Sequence, residues 1–202
     1  MKLYYVPGVC SLAAHIALRE AGVDFALDKM DRDSRRTESG ENYLDVNPKG
    51  SVPALRLDNN EVLTEVAVIL QYIADQAPQS GLAPAAGSME RYRLMEWLNY
   101  IATEVHKQHS PLFNPKIPPE WRENQLGLLA KRFDYLSERL ARQPYLMGEQ
   151  FTVADAYLFV VLRWSTRLKI EITPWPVLTG YRARIAARPA VQAALRAEGL
   201  AP

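Results

Sequence analysis

The sequence predicts an α/β N-terminal domain followed by an all-α C-terminal domain, and three observations support that division. Strand-length apolar runs occur only early in the chain, at residues 3–6, 25–30, 54–57 and 61–63. Residues 76–88 are broken by Pro78, Gly81, Pro84 and Gly87, as a linker would be. Beyond that break, helical periodicity accounts for every long segment. The expected domains are residues 1–79 and 88–202, joined by a linker at 80–87.

The first strand, Leu3 to Val6, is stopped by Pro7-Gly8, since proline lacks an N–H donor and glycine permits positive φ. From Ser11 the spacing becomes helical, with Leu12, Ala13, Ile16 and Ala17 on one face and Gly22 as a stop. Cys10 therefore sits at a strand–loop–helix junction, where unpaired N–H groups and the positive end of the helix dipole favour a thiolate. The alternative is a small buried hydrophobe. Ser11 can donate to that sulfur or cap the helix. Ala13 stands three residues after Cys10, so a redox-active sulfur needs an external thiol as its partner.

The strand at 25–30 leads into a mixed-charge loop in which Arg35 and Arg36 are either solvated or aimed at a carboxylate. The run Asn47-Pro48-Lys49-Gly50-Ser51-Val52-Pro53 is dense in turn residues and precedes a hairpin formed by 54–57 and 61–63. Pro53 is either an edge proline or a cis proline. Thr64 is the expected cap of the next helix, which turns Val66, Ile69, Leu70 and Ile73 inward. Glu65 suits the positive end of that helix, or it holds a ligand amine. The order β-α-β then β-β-α resembles the thioredoxin fold, which places its reactive thiol at the first βα junction.

In the second half, Ser88 caps a long helix with an expected core face of Met95, Leu98, Ala102 and Val105. Asn99, Thr103 and His106 fall on another stripe, either solvent-facing or lining a polar cleft. There His106 would donate to a thiolate or shuttle a proton near neutral pH. A second helix spans 120–141, with Leu126, Leu129, Phe133, Leu136 and Leu140 inward. Thr152 and Asp155 form a capping box ahead of Val153–Arg167, a helix apolar nearly all round and so expected at the domain's centre. Pro174-Trp175-Pro176 starts another helix, and Arg188-Pro189 breaks into the last.

Composition narrows the function. A net charge of +1 argues against a broad nucleic-acid surface or an anionic membrane surface. One cysteine forms no internal disulfide, which suits a reducing, cytoplasmic setting. The apolar run at 156–162 is far short of a bilayer span, and Pro7-Gly8 interrupts any signal-like start. His15, His106, His109 and the lone cysteine match no zinc spacing, so no metal is expected, and no phosphate-binding glycine loop is present.

Several stretches together resemble the cytosolic glutathione transferases. They are Asn47-Pro48-x-Gly50-x-Val52-Pro53, Thr64-Glu65-x-Ala67-x-Ile69 and Gly148-x-x-Phe151-Thr152-x-Ala154-Asp155. The run Tyr4-x-x-Pro7-Gly8-x-Cys10-Ser11, with Trp97-Leu98-Asn99-Tyr100-Ile101 and Glu104-x-His106-Lys107, resembles the bacterial beta class, which carries Cys where other classes carry Tyr or Ser. The resemblance covers essentially the whole chain. It implies that glutathione, the co-substrate, lies along Val52 beside a cis Pro53. The γ-glutamyl end would meet Glu65 and Val66, and Arg35 would reach the glycyl carboxylate. Cys10 and His106 are the implied catalytic pair, with Ser11, Asn99 and Thr103 as further glutathione contacts. Phe113 and Trp164 are the implied walls of a pocket for small hydrophobic electrophiles, and a homodimer is implied as well.

Two departures stand out. Val66 replaces a common Ser, which removes about 0.5–1.5 kcal/mol of hydrogen bonding. Arg35 replaces a common Lys, with different geometry. The expected reaction is conjugation, thiol transfer or reductive dehalogenation. A glutaredoxin-like disulfide reductase and a non-catalytic carrier of apolar ligands are the alternatives.

Overall fold

The computed structural model describes residues 1–201. The chain divides into two compact units: Met1–Ala83 with the chain from Ala187 onward, and Pro84–Ala186. In the first unit, β1 (Lys2–Tyr5), β2 (Ala26–Lys29), β3 (Ala54–Arg56) and β4 (Val62–Thr64) form one sheet in the order β2-β1-β3-β4. β1 pairs parallel with β2 and antiparallel with β3, and β3 pairs antiparallel with β4. The register sets Leu3 opposite both Leu27 and Leu55. Tyr4 and Ala54 face a cluster with Val6, Met30, Tyr43 and Val46. Leu3 and Leu55 point the other way and are fully buried, as are Leu12 and Ile16 of α1 (Ser11–Ala21) and Ile69 of α3 (Val66–Gln76).

These elements follow the predicted order with small differences. α1 stops at Gly22, whose left-handed φ of 66° only glycine adopts without cost. The short α2 (Tyr43–Val46), capped by Asn42, carries too few residues to show a period. Thr64, the expected cap of α3, is the last residue of β4; Glu65 takes the cap position instead, at φ 70°.

The second unit contains α4 (Met89–Tyr100), α5 (Lys107–His109), α6 (Pro119–Leu140), α7 (Val153–Arg167) and α8 (Pro176–Ala186). Ser88 caps α4, accepting from Arg91 N. The predicted core face of this helix is shifted: Met95 is 42 % exposed, whereas Leu94, Leu98, Ile101 and Val105 are buried. A π-helical stretch, Ile101–His106, joins α4 to α5. Its wider turns change which residues share a face, so Asn99 and Thr103 are exposed while His106 is half-buried. α7 is buried from Val153 through Leu162. Its capping box is formed, and the buried Asp155 carboxylate accepts from the N–H groups of Leu146 and Thr152 and from the hydroxyls of Thr152 and Tyr181.

The last helix, α9 (Pro189–Ala197), packs on α1 in the first unit rather than with the helices that precede it, unlike the expected division at 88–202. Specific polar contacts hold it there. Arg188 grips Glu20 through Nε at 2.6 Å and Nη2 at 2.8 Å. The buried Glu198 carboxylate accepts from Gly8 N at 2.9 Å and meets His15 Nδ1 at 2.9 Å. Arg19 Nε donates to His15 Nε2 at 2.9 Å, so the His15 proton lies on Nδ1, toward Glu198. Replacing Glu198 by Ala removes the acceptor that Gly8 N and the buried His15 share. Urea unfolding is expected to show a loss of about 2–4 kcal/mol for Glu198→Ala; an unchanged midpoint would mean that α9 is not held by this carboxylate.

Candidate active site

Cys10 is the N-terminal cap residue of α1, at φ −58° and ψ −22°. Its thiol donates to Val52 O at 3.2 Å, so the start of α1 meets the loop that enters β3. Burial pushes the thiol up to about 12, against the N–H groups of Cys10 and Ser11, which pull it down. The bond to a carbonyl also favours the protonated form. This corrects the expectation of a thiolate: at this helix start, desolvation outweighs the dipole. The Ser11 hydroxyl neither caps α1 nor serves the sulfur. It is fully buried, donates to Val6 O at 3.1 Å and accepts from Val6 N at 3.2 Å, closing the loop around Pro7-Gly8.

The carbonyl side of this contact is held as firmly. Ser51 O accepts from Tyr43 Oη at 2.6 Å and Asn47 Nδ2 at 2.7 Å. Arg35 Nη1 donates to Gly50 O at 2.8 Å from a residue at φ 58°. The Val52–Pro53 peptide is cis. At the start of α3, Glu65 lies in a φ region that non-glycine residues rarely occupy, which leaves its carboxylate outside the helix. Lys49 Nζ bonds that carboxylate at 2.5 Å and Thr64 Oγ1 at 2.7 Å. Val66 is the first residue of α3 and is buried. The sequence gives no sign of Tyr43 or Lys49 in these roles, because both act through chain segments brought close only by folding.

In the second unit, the structure brings His106, Trp164 and Phe113 together. His106 and Trp164 meet edge to face at 4.7 Å between ring centroids, and Trp164 meets Phe113 at 5.6 Å. His106 Nδ1 lies 2.7 Å from Tyr157 Oη, a partner hidden in the apolar α7. Burial holds His106 and His109 down at about 4, so both rings are neutral at pH 7. The expectation of a histidine titrating near neutrality is therefore corrected: His106 is a neutral hydrogen-bonding ring. Asn99 and Thr103 do not join this group; they are exposed, and Thr103 Oγ1 donates to Asn99 O at 3.1 Å. Among the described residues there is no grouping of His, Cys, Asp and Glu able to hold a metal ion, and no helix is long and apolar enough to cross a membrane.

The family model for the glutathione S-transferase N-terminal domain matches residues 9–76, and that for the C-terminal domain matches residues 100–189. Glutathione S-transferase GstA of Escherichia coli O157:H7 is 48 % identical over 200 residues, covering 99 % of this chain and 100 % of the relative. A sphingomonad glutathione S-transferase solved with glutathione is 50 % identical, with a TM-score of 0.96 and full coverage of both chains. The bacterial beta-class enzyme of Sphingomonas chungbukensis is 46 % identical, with a TM-score of 0.95 and again full coverage. The chain belongs to the glutathione S-transferase family, and within that family its sequence and fold match the bacterial beta class.

Iodoacetamide alkylation of Cys10 in the ligand-free protein at pH 8 is expected to be more than about tenfold slower than in the urea-unfolded chain, and to rise steeply above pH 9. Equal rates would mean a thiol of ordinary acidity. The neutral rings of His106 and His109 bind protons more weakly folded than unfolded, so their contribution is complete above about pH 6.5 and is lost as pH falls toward 4. Urea midpoints measured between pH 7 and 5 should fall, each ring contributing about 1–2 kcal/mol. His106→Gln and His109→Gln should each flatten the profile.

Proposed function

We propose that the chain binds glutathione beside Cys10 and conjugates it to small hydrophobic electrophiles. The observation that carries this reading is the Cys10 thiol, kept protonated and hydrogen-bonded to Val52 O. A glutathione cysteinyl unit laid along Val52 as an added strand would take that carbonyl with its own N–H. The Cys10 S–H would then turn to the glutathione sulfur and stabilise it as thiolate while its proton leaves to solvent. The sulfur lone pair forms the new bond to the electrophile as the leaving group departs with its electrons. The γ-glutamyl ammonium would replace Lys49 at Glu65, and its carboxylate would meet the N-terminus of α3 at Val66. Arg35 and Pro53 would frame the glycyl end.

The ring group of His106, Phe113 and Trp164 is suited to the flat apolar part of an electrophile. Asn99 and Thr103 are surface residues of the α4 region, available to a ligand or a second subunit. A homodimer accords with Met89 and Tyr92 of α4, which stand 65 % and 57 % exposed. A cytoplasmic location accords with the single free thiol.

Calorimetry with glutathione and turnover of an activated aryl halide test this reading on wild type, Cys10→Ser and Cys10→Ala. Binding is expected in all three. Turnover should fall on the order of tenfold to a hundredfold in Cys10→Ala and much less in Cys10→Ser, which keeps an O–H donor. Intact mass after incubation with oxidised glutathione separates the other chemistry: a fast, dithiothreitol-reversible adduct absent from Cys10→Ser would make Cys10 a nucleophile and the reaction thiol transfer. Binding without turnover would make the protein a carrier, and no binding would overturn the glutathione reading.

A further inference from the structure

The second unit contains a cavity that the proposed reaction does not use. It has a volume of 230 Å³ and lies between α6 and the segment that joins α7 to α8. Its α6 wall is a single helical stripe of Leu126, Leu129, Ala130 and Phe133. Leu126, expected in the core, is half-buried because it lines this hollow. Trp175 adds to this wall beside Phe133. Its indole Nε1 donates to Asp134 Oδ1 at 2.7 Å, and its ring stands edge-on to Phe133 at 5.1 Å. The walls therefore present apolar surface that includes two fixed aromatic rings.

The lining also carries charge, with Arg122 and Lys169 against one acid, Glu171. Lys169 sits at φ 54°, in the left-handed region, in the short segment after α7. Its ammonium has no hydrogen bond or ion pair among the described residues. Arg122 makes one long bond, Nη2 to Leu168 O at 3.3 Å, and no ion pair among the described residues. Two cations without a carboxylate partner stand beside an apolar pocket, an arrangement complementary to an amphipathic anion. The volume falls below the about 300–1,000 Å³ of drug-sized sites, which limits the occupant to one or two rings.

We propose that this cavity binds a small aromatic carboxylate, with its ring against Trp175 and the α6 stripe and its carboxylate on Lys169 and Arg122. The proposal is independent of the glutathione reading, since every residue it uses lies outside the groups assigned to that chemistry.

The test is a titration of the ¹⁵N-labelled full chain with naphthalene-2-carboxylate, followed at the Trp175 indole N–H signal and assigned by its loss in Trp175→Phe. A saturable shift is expected, unchanged when glutathione is present at saturation. Affinity should fall about tenfold in Lys169→Gln, and by a similar factor when naphthalene-2-carboxamide replaces the acid. Lys169 is exposed, so Lys169→Gln should melt as wild type does. The proposal is overturned by the absence of a saturable shift, by a shift that glutathione abolishes, or by equal affinity for acid and amide. Tighter binding of octanoate would overturn the ring requirement, and a shift produced by raising protein concentration alone would assign the cavity to a second copy of the chain.

Discussion

The hydrogen bond from the Cys10 thiol to the Val52 carbonyl is the contact on which the first unit's site depends. It links residues 42 apart in sequence, and each end is fixed by its own set of bonds. On one side, Ser11 closes the loop onto Val6 while Glu198 holds Gly8. On the other, Tyr43 and Asn47 converge on Ser51 O. The pairing of β1 with β3 brings the two loops to the same end of the sheet. The closeness that sets up this bond also shields the sulfur from much of the water, although Cys10 as a residue is only partly buried. Helix-end electrostatics are worth a fraction of a kcal/mol to about 2 kcal/mol, whereas burial can shift an acid by several pKa units. Desolvation therefore decides the protonation state of Cys10, and the residue is better suited to donate a proton in a hydrogen bond than to attack.

The corner at Glu65 follows a related logic. A backbone conformation that costs about 1–3 kcal/mol directs the carboxylate away from its own helix, where it takes Lys49 as partner. A group recruited as an N-cap would instead bond the first-turn N–H groups, and Glu65 makes no such bond. The start of α3 thus keeps its N–H groups while an acid stands beside them, a pairing that serves a zwitterionic ligand better than it serves the helix.

In the second unit, the π-helical stretch controls what the helix after Ser88 displays. With a regular α-helical period, Asn99, Thr103 and His106 would share a stripe. The wider turn instead sets His106 against Trp164 and Tyr157 and leaves the other two in solvent. A row of rings then runs through His109 and Phe133 to Trp175. Neutral histidines fit this row because a charged ring would lose its hydration without an acid to pair with.

Much of this molecule was legible in the chain. The succession of strands and helices along the chain, the stop at Gly22, the capping box of Thr152 and Asp155, and the bounds of the buried α7 rest on local rules of period, capping and backbone permissiveness, and these act within a few residues. The position of Cys10 at a βα junction was equally local. Tertiary structure decided the rest: the protonated state of the thiol, the neutrality of His106, the shifted face of α4, the partnership of Lys49 with Glu65, and the packing of α9 on α1. Each of these depends on how much water is excluded and on which distant group arrives at hydrogen-bonding distance, and neither quantity is encoded in the spacing of residues along a single segment.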